Sequence, residues 1–375
     1  MMAVDAAPSP ASSTGAPSTA PSARQVMGLT VGMLAYHFGL WLWTAHRRGF
    51  TLTEALHRWD STLYSAIVLE GYSPSPALRA FLPAWPGFVT LWHRLLGGTV
   101  PPWVLGCVLS TLLLLGFSAW VSRRMARGDT SPLVPGTAWG LALFLFSPAS
   151  FALHSHHTEA LFVLLSFGAL TSAWDGHTWR AALFAALCVW TRNQGIFVAV
   201  AAALLLARPP GPWRERLGRF AVVGGVSLAA FAGLLYFQWR GTGDALAHVH
   251  AQQYWKHPSA WEALRGLWSG NPSQKVDGWI GLRYVFAAVW LAVSVALFRR
   301  SPALGLYGLL SVGVMVLQGG MGNAFRYGSV VFPVLFWLGD WLAARPVWLR
   351  WGAAVLVLWL NHKVTHGFAI GRWVY

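Results

Sequence analysis

Charge is what this chain of 375 residues has least of: Asp, Glu, Lys and Arg together make up 10% of it, against 55% hydrophobic residues and 24 tryptophans. With a mean hydropathy of +0.49, a water-soluble domain of this length would have too little interior to hide its apolar surface, so a bilayer is the required solvent. Cysteine is nearly missing as well. Cys107 and Cys188 both fall inside apolar runs, where a small buried thiol is the default, and neither a disulfide framework nor a thiolate metal pair is indicated. No basic segment leads directly into a first apolar core, so the first apolar run reads as an uncleaved span instead of a removed signal peptide. Large apolar side chains are scarce in residues 1–25, which are mostly Ala, Pro, Ser and Thr. Such a stretch cannot offset its ordering entropy by burial and is expected to be a disordered tail.

The formal charge of +15 does not point to nucleic acid, because the arginines stand in short clusters between apolar runs and line no single helix or strand face. They read as topology. Apolar stretches long enough to span recur near 28–45, 102–121, 134–152, 158–174, a broken pair within 181–207, then 220–238, 279–298, 303–318, 329–344 and 350–366, about eleven in all. Splitting 181–207 at Thr191-Arg192-Asn193-Gln194-Gly195 keeps the cluster Arg208 to Arg219 on the same side as Arg123, Arg124 and Arg127, Arg299 and Arg300, and Arg345 and Arg350. With the N-terminus inside, every cluster is then cytoplasmic. The expected architecture is all-α and polytopic: a tail, 1–25, and one integral membrane domain, 26–375, with two long non-cytoplasmic loops, 46–101 and 239–278, carrying short amphipathic helices.

The chemically distinctive residues all fall on the non-cytoplasmic face. In the first loop, HRWDSTLYSAIVLEGY holds Arg58, Trp59, Asp60, Glu70 and Tyr72, followed by the apolar re-entry FLPAWPGF. An acid beside an indole at a membrane surface is partly desolvated, which raises its proton affinity and suits a general base toward a hydroxyl. The bland reading of Asp60 is a helix cap. Next, FSPASFALHSHHTEALFVLLSF crowds His154, His156, His157 and Glu159 into one turn. HxHHxE lacks a familiar helical ligand spacing for zinc, so capping by Thr158 and Glu159 is preferred to a metal, and Ser147-Pro148 reads as a helix break. Arg192 and Asn193 in the TRNQG break, and Arg326 in GNAFRYG, place guanidinium groups at membrane depth, where charge is costly and usually functional. A guanidinium fork matches phosphate, and snorkelling to the interface is the competing role. In the second loop, Trp255, Trp261 and Trp268 mark an amphipathic helix lying on the membrane, with His248, His250 and Gln252 as surface residues or contacts to sugar hydroxyls.

Taken in order, RWDSTLYSAIVLEGY, FLPAWPGF, FSPASFALHSHHTEALFVLLSF and TRNQG resemble the GPI mannosyltransferase 2 (PIG-V) family and its bacterial relatives. The resemblance is fullest over residues 28–207 and continues more thinly through GDALAHVHAQQYW and FRYGSVVFPVLFW. It implies a GT-C-like fold and an inverting enzyme that takes mannose from a polyprenyl-phosphate-mannose donor, with the first-loop acid, here Asp60, as the catalytic candidate. His156, His157 and Thr158 replace the small, aromatic and serine residues usual before the family's glutamate, a departure that bears on the acceptor more than on the chemistry.

The mechanism expected from such a donor needs deprotonation of the acceptor hydroxyl in line and neutralisation of the departing phosphate. Asp60 supplies the first, and Arg192 and Arg326 the second. Arg58, Trp59, Glu70, Tyr72, His156, His157, Glu159, Asn193 and Gln252 are the candidate substrate contacts. No cofactor or metal is called for, and no DxD pair is present to bind one. The expected partners are a polyprenyl-phosphate sugar donor, a lipid or glycan acceptor and membrane lipids, and the expected location is a bacterial inner membrane with the site on the periplasmic face. A transporter or lipid flippase is the alternative from another class, but it calls for inverted internal repeats, and the sequence has none. A non-catalytic membrane scaffold is a third.

Overall fold

Apolar runs ended by capping chemistry dictate helices, and helices are what the computed structural model shows over the residues it describes, 20–255, 265, 280–317 and 321–372. Helix α1 (Ala23–Arg48) opens on a capping box in which the Ser22 hydroxyl accepts from the Gln25 N–H while the Gln25 side chain reaches back to the Ser22 N–H, and it closes on Gly49 in the left-handed region. Short helices α2 (Leu52–Leu56), α3 (Asp60–Glu70) and α4 (Ala84–Leu95) fold the first loop. Then come α5 (Pro102–Ala126), α6 (Ala138–Leu145), α7 (Glu159–Trp174), α8 (Thr178–Thr191), α9 (Gly195–Ala207), α10 (Trp213–Thr242) and the single turn α11 (Ala247–His250). The chain continues with α12 (Ile280–Phe298), α13 (Pro302–Leu317), α14 (Ala324–Ser329), α15 (Phe332–Ala343) and α16 (Val347–Ala369).

Among the described residues, four helices combine the length and apolarity of a membrane crossing: Ala23–Arg48, Pro102–Ala126, Trp213–Thr242 and Gly281–Phe298. Shorter apolar helices, Glu159–Trp174, Gly195–Ala207, Pro302–Val316 and Phe332–Ala343, coincide with other expected spans. The expected span 134–152 is not one helix. α6 covers eight residues of it, the chain turns at Phe146, and a 3-10 turn follows over Ser150–Leu153, because Pro148 lacks the N–H that a continuing helix would need. The break inside 181–207 is present: α8 ends at Thr191, α9 starts at Gly195, and the two pack on each other. Trp261 and Trp268 lie outside the described residues.

The interior is held by interlocking aromatic rings from α5, α6, α7 and α15. Phe117 stands with its centroid 5.3 Å from Phe144 and 5.2 Å from Phe167, and Phe167 is 5.6 Å from Phe332, geometries worth about 0.5–1.5 kcal/mol per pair beyond area burial. A polar pillar ties the two ends of the chain to the His-rich turn. Asn361 on α16 donates to the Ser147 carbonyl at 2.9 Å and to the Ser150 hydroxyl at 3.0 Å, and its carbonyl oxygen lies 2.8 Å from His37 Nε2. His37 must therefore donate from Nε2 and accept at Nδ1, where His154 Nε2 stands 2.8 Å away.

Close helix crossing needs small residues. A Cβ added at Gly339 on α15 would overlap the backbone of Trp139 and Gly140 on α6, whereas one added at Gly352 on α16 would meet nothing within 4 Å. Gly339→Ala is expected to cost about 1–3 kcal/mol or more and to lower the thermal unfolding midpoint in detergent, with Gly352→Ala unchanged. Equal midpoints would show that the α6–α15 crossing is not tight.

Candidate active site

Asp60 is the first residue of α3, and the residue before it is strained. Trp59 has φ 52° and ψ −126°, the only positive φ at a non-glycine among the described residues, a conformation that costs of order 1–3 kcal/mol and persists only where the surroundings fix it. Trp59 packs against a buried cluster that includes Ala55, Leu56, Phe151 and Phe368. Anchored in this way, the Trp59 turn aims the Asp60 carboxylate inward, where it is 7% exposed.

There it meets Arg326. The Arg326 Nη1 donates to Asp60 Oδ2, and its Nε donates to Glu159 Oε1 at 2.7 Å. Arg192 approaches the same Glu159 oxygen from the other side, donating from Nη1 at 2.5 Å and also to the Thr158 hydroxyl at 2.8 Å. Arg192 Nε bonds Gln194 Oε1 at 3.3 Å, and Gln194 Nε2 donates to the Tyr327 carbonyl at 3.1 Å. The Arg192 guanidinium lies 5.2 Å from the Tyr327 ring centre. Two carboxylates and two guanidinium groups from α3, α7, the α8–α9 break and α14 thus share one buried network, with Glu159, 1% exposed, as its bridge. Burying four charges is tolerable because each one has an opposite partner and hydrogen bonds.

A cavity of about 120 Å³ opens on this network, lined by Asp60, Arg192, Arg326, Thr158, Tyr64 and Tyr327 among others. It adjoins a larger groove of about 600 Å³ whose walls include Phe197, Phe231, Leu234, Val249, Val314 and Met315. Leu82, Asn193, Gln252, Asn323 and Tyr327 line both spaces. The charged chamber and the apolar groove thus share a wall of three amides, a phenol and Leu82.

Of the residues singled out from the sequence, Asp60, Arg192, Arg326, Asn193 and Gln252 line the chamber, and Glu159 sits behind them. The expected picture of Asp60 as a carboxylate with an indole for its neighbour gives way to an ion pair with Arg326. Thr158 and Glu159 do not cap α7 through their side chains, because Arg192 recruits both. The histidines of the turn diverge instead of converging on one point: His154 bonds His37, His156 packs between Tyr64 and Trp85, and His157 Nδ1 lies 2.7 Å from the Ser155 hydroxyl. Burial pushes the His157 imidazole down to about 4 and that of His156 well below its usual value, so both are neutral at pH 7 and the network's charges sum to zero. Arg58 turns away, over the Phe50 ring at 4.9 Å. Glu70 is exposed at the end of α3, and the Tyr72 hydroxyl donates to the Phe81 carbonyl at 3.0 Å. Tyr64, Asn323 and Tyr327 were not singled out, although Tyr64 is one helical turn after Asp60 and Asn323 and Tyr327 flank Arg326 in the same motif.

The first half of the chain is similar in sequence to known proteins. The family model described as Mannosyltransferase (PIG-V) matches residues 50–206, which hold Asp60, Glu159 and Arg192, with Arg326 beyond them. GPI alpha-1,6-mannosyltransferase 2 of Cricetulus griseus is 30% identical over 152 residues, 39% of this chain and 30% of that protein. The proteins of the same name from Rattus norvegicus and Homo sapiens are 31% and 29% identical with the same coverage. The chain thus matches about a third of the length of these relatives, and over that stretch it is PIG-V-like. No solved structure matches it.

Removing the bridge takes from the buried Arg192 the carboxylate it pairs with and from Arg326 one of two. Glu159→Ala is expected to destabilise the protein by about 3–5 kcal/mol, whereas Arg219→Ala, which breaks an exposed pair with Glu215, is expected to cost at most about 1 kcal/mol. Thermal unfolding of both in one detergent measures the difference. Similar midpoints would mean that Glu159 is not a bridge.

Proposed function

We propose that the chain is a mannosyltransferase that moves a sugar from a polyprenyl-phosphate donor to a hydroxyl of a lipid or glycan acceptor, with inversion, on the non-cytoplasmic face of a membrane. The observation that carries this reading is a charged chamber that shares a wall with an apolar groove. A polyprenyl phosphate sugar joins an apolar chain to an anionic phosphodiester and a polyol, and the site offers apolar walls, guanidinium groups and amides side by side.

The donor phosphate is assigned to Arg192 first. A guanidinium carries five N–H donors in a fixed fork, so it can hold Glu159 and a phosphate oxygen at once. Arg326, shared between Asp60 and Glu159, supports the same negative charge from the far side. Asn193, Asn323 and Gln252 at the junction offer both donors and acceptors to sugar hydroxyls. The prenyl tail lies along Phe197, Phe231 and Met315. In the reaction the acceptor oxygen bonds to the anomeric carbon as the bond from that carbon to the phosphate oxygen breaks. The hydroxyl proton passes to Asp60, and polyprenyl phosphate leaves with its charge balanced by the guanidinium groups. The oxygen of Asp60 not engaged by Arg326 is the acceptor of that proton. Because arginine supplies the positive charge, this route needs no divalent ion.

Membranes expressing the wild-type chain, supplied with radiolabelled polyprenyl-phosphate-mannose, are expected to incorporate label into lipid or glycan. Asp60→Asn at equal abundance is expected to lose about 10²–10⁴ of the rate, the usual contribution of general base catalysis. Equal incorporation by the variant would overturn the role of Asp60, and label that crosses the membrane unincorporated would favour transport.

A further inference from the structure

Tyr64 follows Asp60 by one turn of α3, so the two side chains share a face of that helix, and both border the chamber. The residue is 4% exposed. Its ring packs edge-on against Phe81, with centroids 5.0 Å apart, and against His156 at 5.7 Å. Its hydroxyl oxygen makes no hydrogen bond to a described residue, and unlike the equally unpaired oxygen of Tyr284 it is not sealed off from open space.

Charge tells which way the hydroxyl faces. Asp60, Arg326, Glu159 and Arg192 all bear on it, Asp60 most and Arg192 least, so the oxygen points toward the network and lies at its Asp60 end. Burial, and then the Asp60 carboxylate, push its ionisation well above the usual phenol range, which leaves it a neutral hydrogen-bond donor at any working pH. Polar groups in such surroundings are normally satisfied, so a donor left open at a cavity points to a ligand atom. Arg192 and Arg326 already provide for an anion, and Tyr64 borders the chamber but not the apolar groove. The matching atom is therefore a neutral oxygen.

We propose that the Tyr64 hydroxyl donates to a hydroxyl oxygen of the transferred sugar and holds the pyranose ring beside Asp60. This rests on the donor assigned above. With the prenyl tail in the apolar groove and the phosphodiester at Arg192, the sugar is the part of that donor left for the polar wall at Asp60, and its hydroxyl oxygens are neutral acceptors. The contact fixes the rotation of the ring about its bond to the phosphate. That rotation decides whether the anomeric carbon presents the face opposite the departing bond to the incoming acceptor oxygen.

Tyr64→Phe removes the hydroxyl and keeps the ring, which allows a test by binding instead of turnover. The full chain in detergent is titrated, under native mass spectrometry, with short-chain polyprenyl-phosphate-mannose and with the same polyprenyl phosphate lacking the sugar. Tyr64→Phe is expected to bind the mannose-bearing lipid about fivefold more weakly than wild type, the scale of one neutral hydrogen bond. The sugar-free lipid is expected to bind both proteins equally. The variant's unfolding midpoint is expected to stay at the wild-type value, because no bond within the protein is lost. Tyr284→Phe, which removes an unpaired hydroxyl that does not border the chamber, is expected to change neither affinity. Undiminished binding of the mannose-bearing lipid by Tyr64→Phe would overturn the proposal. An equal loss for both lipids would also overturn it, assigning the hydroxyl to the phosphate if the midpoint holds and to packing if it falls. A wild-type chain that binds neither lipid would overturn the donor assignment and this contact with it, an outcome distinct from a variant that binds both as wild type does.

Discussion

One oxygen of Glu159 receives both Arg192 and Arg326, and the candidate site depends on that shared contact. Either guanidinium alone at this depth would be expelled toward water or would draw water in. Held together by one carboxylate, with Asp60 closing the other side of Arg326, they become a fixed pair facing one chamber. The helices that deliver the four groups are far apart in sequence, so the network also works as a tertiary clamp: α3 from the first loop, α7 and the α8–α9 break from the middle, and α14 from the last third are joined at one point.

Much of this was legible in the sequence, and the reasons are physical. Apolar runs set helix positions, and the arginine bias separates the two ends, because a bilayer permits few alternatives. The break at TRNQG was visible because one continuous helix there would have put the Arg208 to Arg219 cluster on the wrong side. Asp60, Arg192 and Arg326 stood out because charge in an apolar chain is rare enough to notice. What could not be read was pairing. Spacing says nothing about whether Thr158 and Glu159 serve their own helix or an arginine 33 or more residues away, and local pattern favours the cap. The HSHHTE turn looks like a cluster only in one dimension. In space His154 turns to α1, while His156 occupies the room left by Gly106, where any added Cβ would overlap the imidazole ring. The helix break read at Ser147-Pro148 is present, and it cuts short the span expected over 134–152.

The turn at Trp59 connects these levels. Its positive φ is an unfavourable local choice, overruled by packing of Trp59 against the cluster that includes Leu56, Phe151 and Phe368. Part of the folding free energy is thus stored as orientation of the next residue. That cluster draws on the C-terminal helix through Phe368, so residues far outside 50–206 contribute to the surroundings of the motif of Arg, Trp and Asp.

The network's charges sum to zero, and this has a consequence for how ligands arrive. A neutral quadrupolar arrangement has a field that dies away within a few ångströms, well inside the screening length of about 8 Å at physiological ionic strength. It cannot pull an anion in from a distance as a basic cleft does. Recognition is then confined to contact, so under the proposed function capture of the donor's charged headgroup depends on delivery by diffusion within the plane of the bilayer and is nearly indifferent to salt.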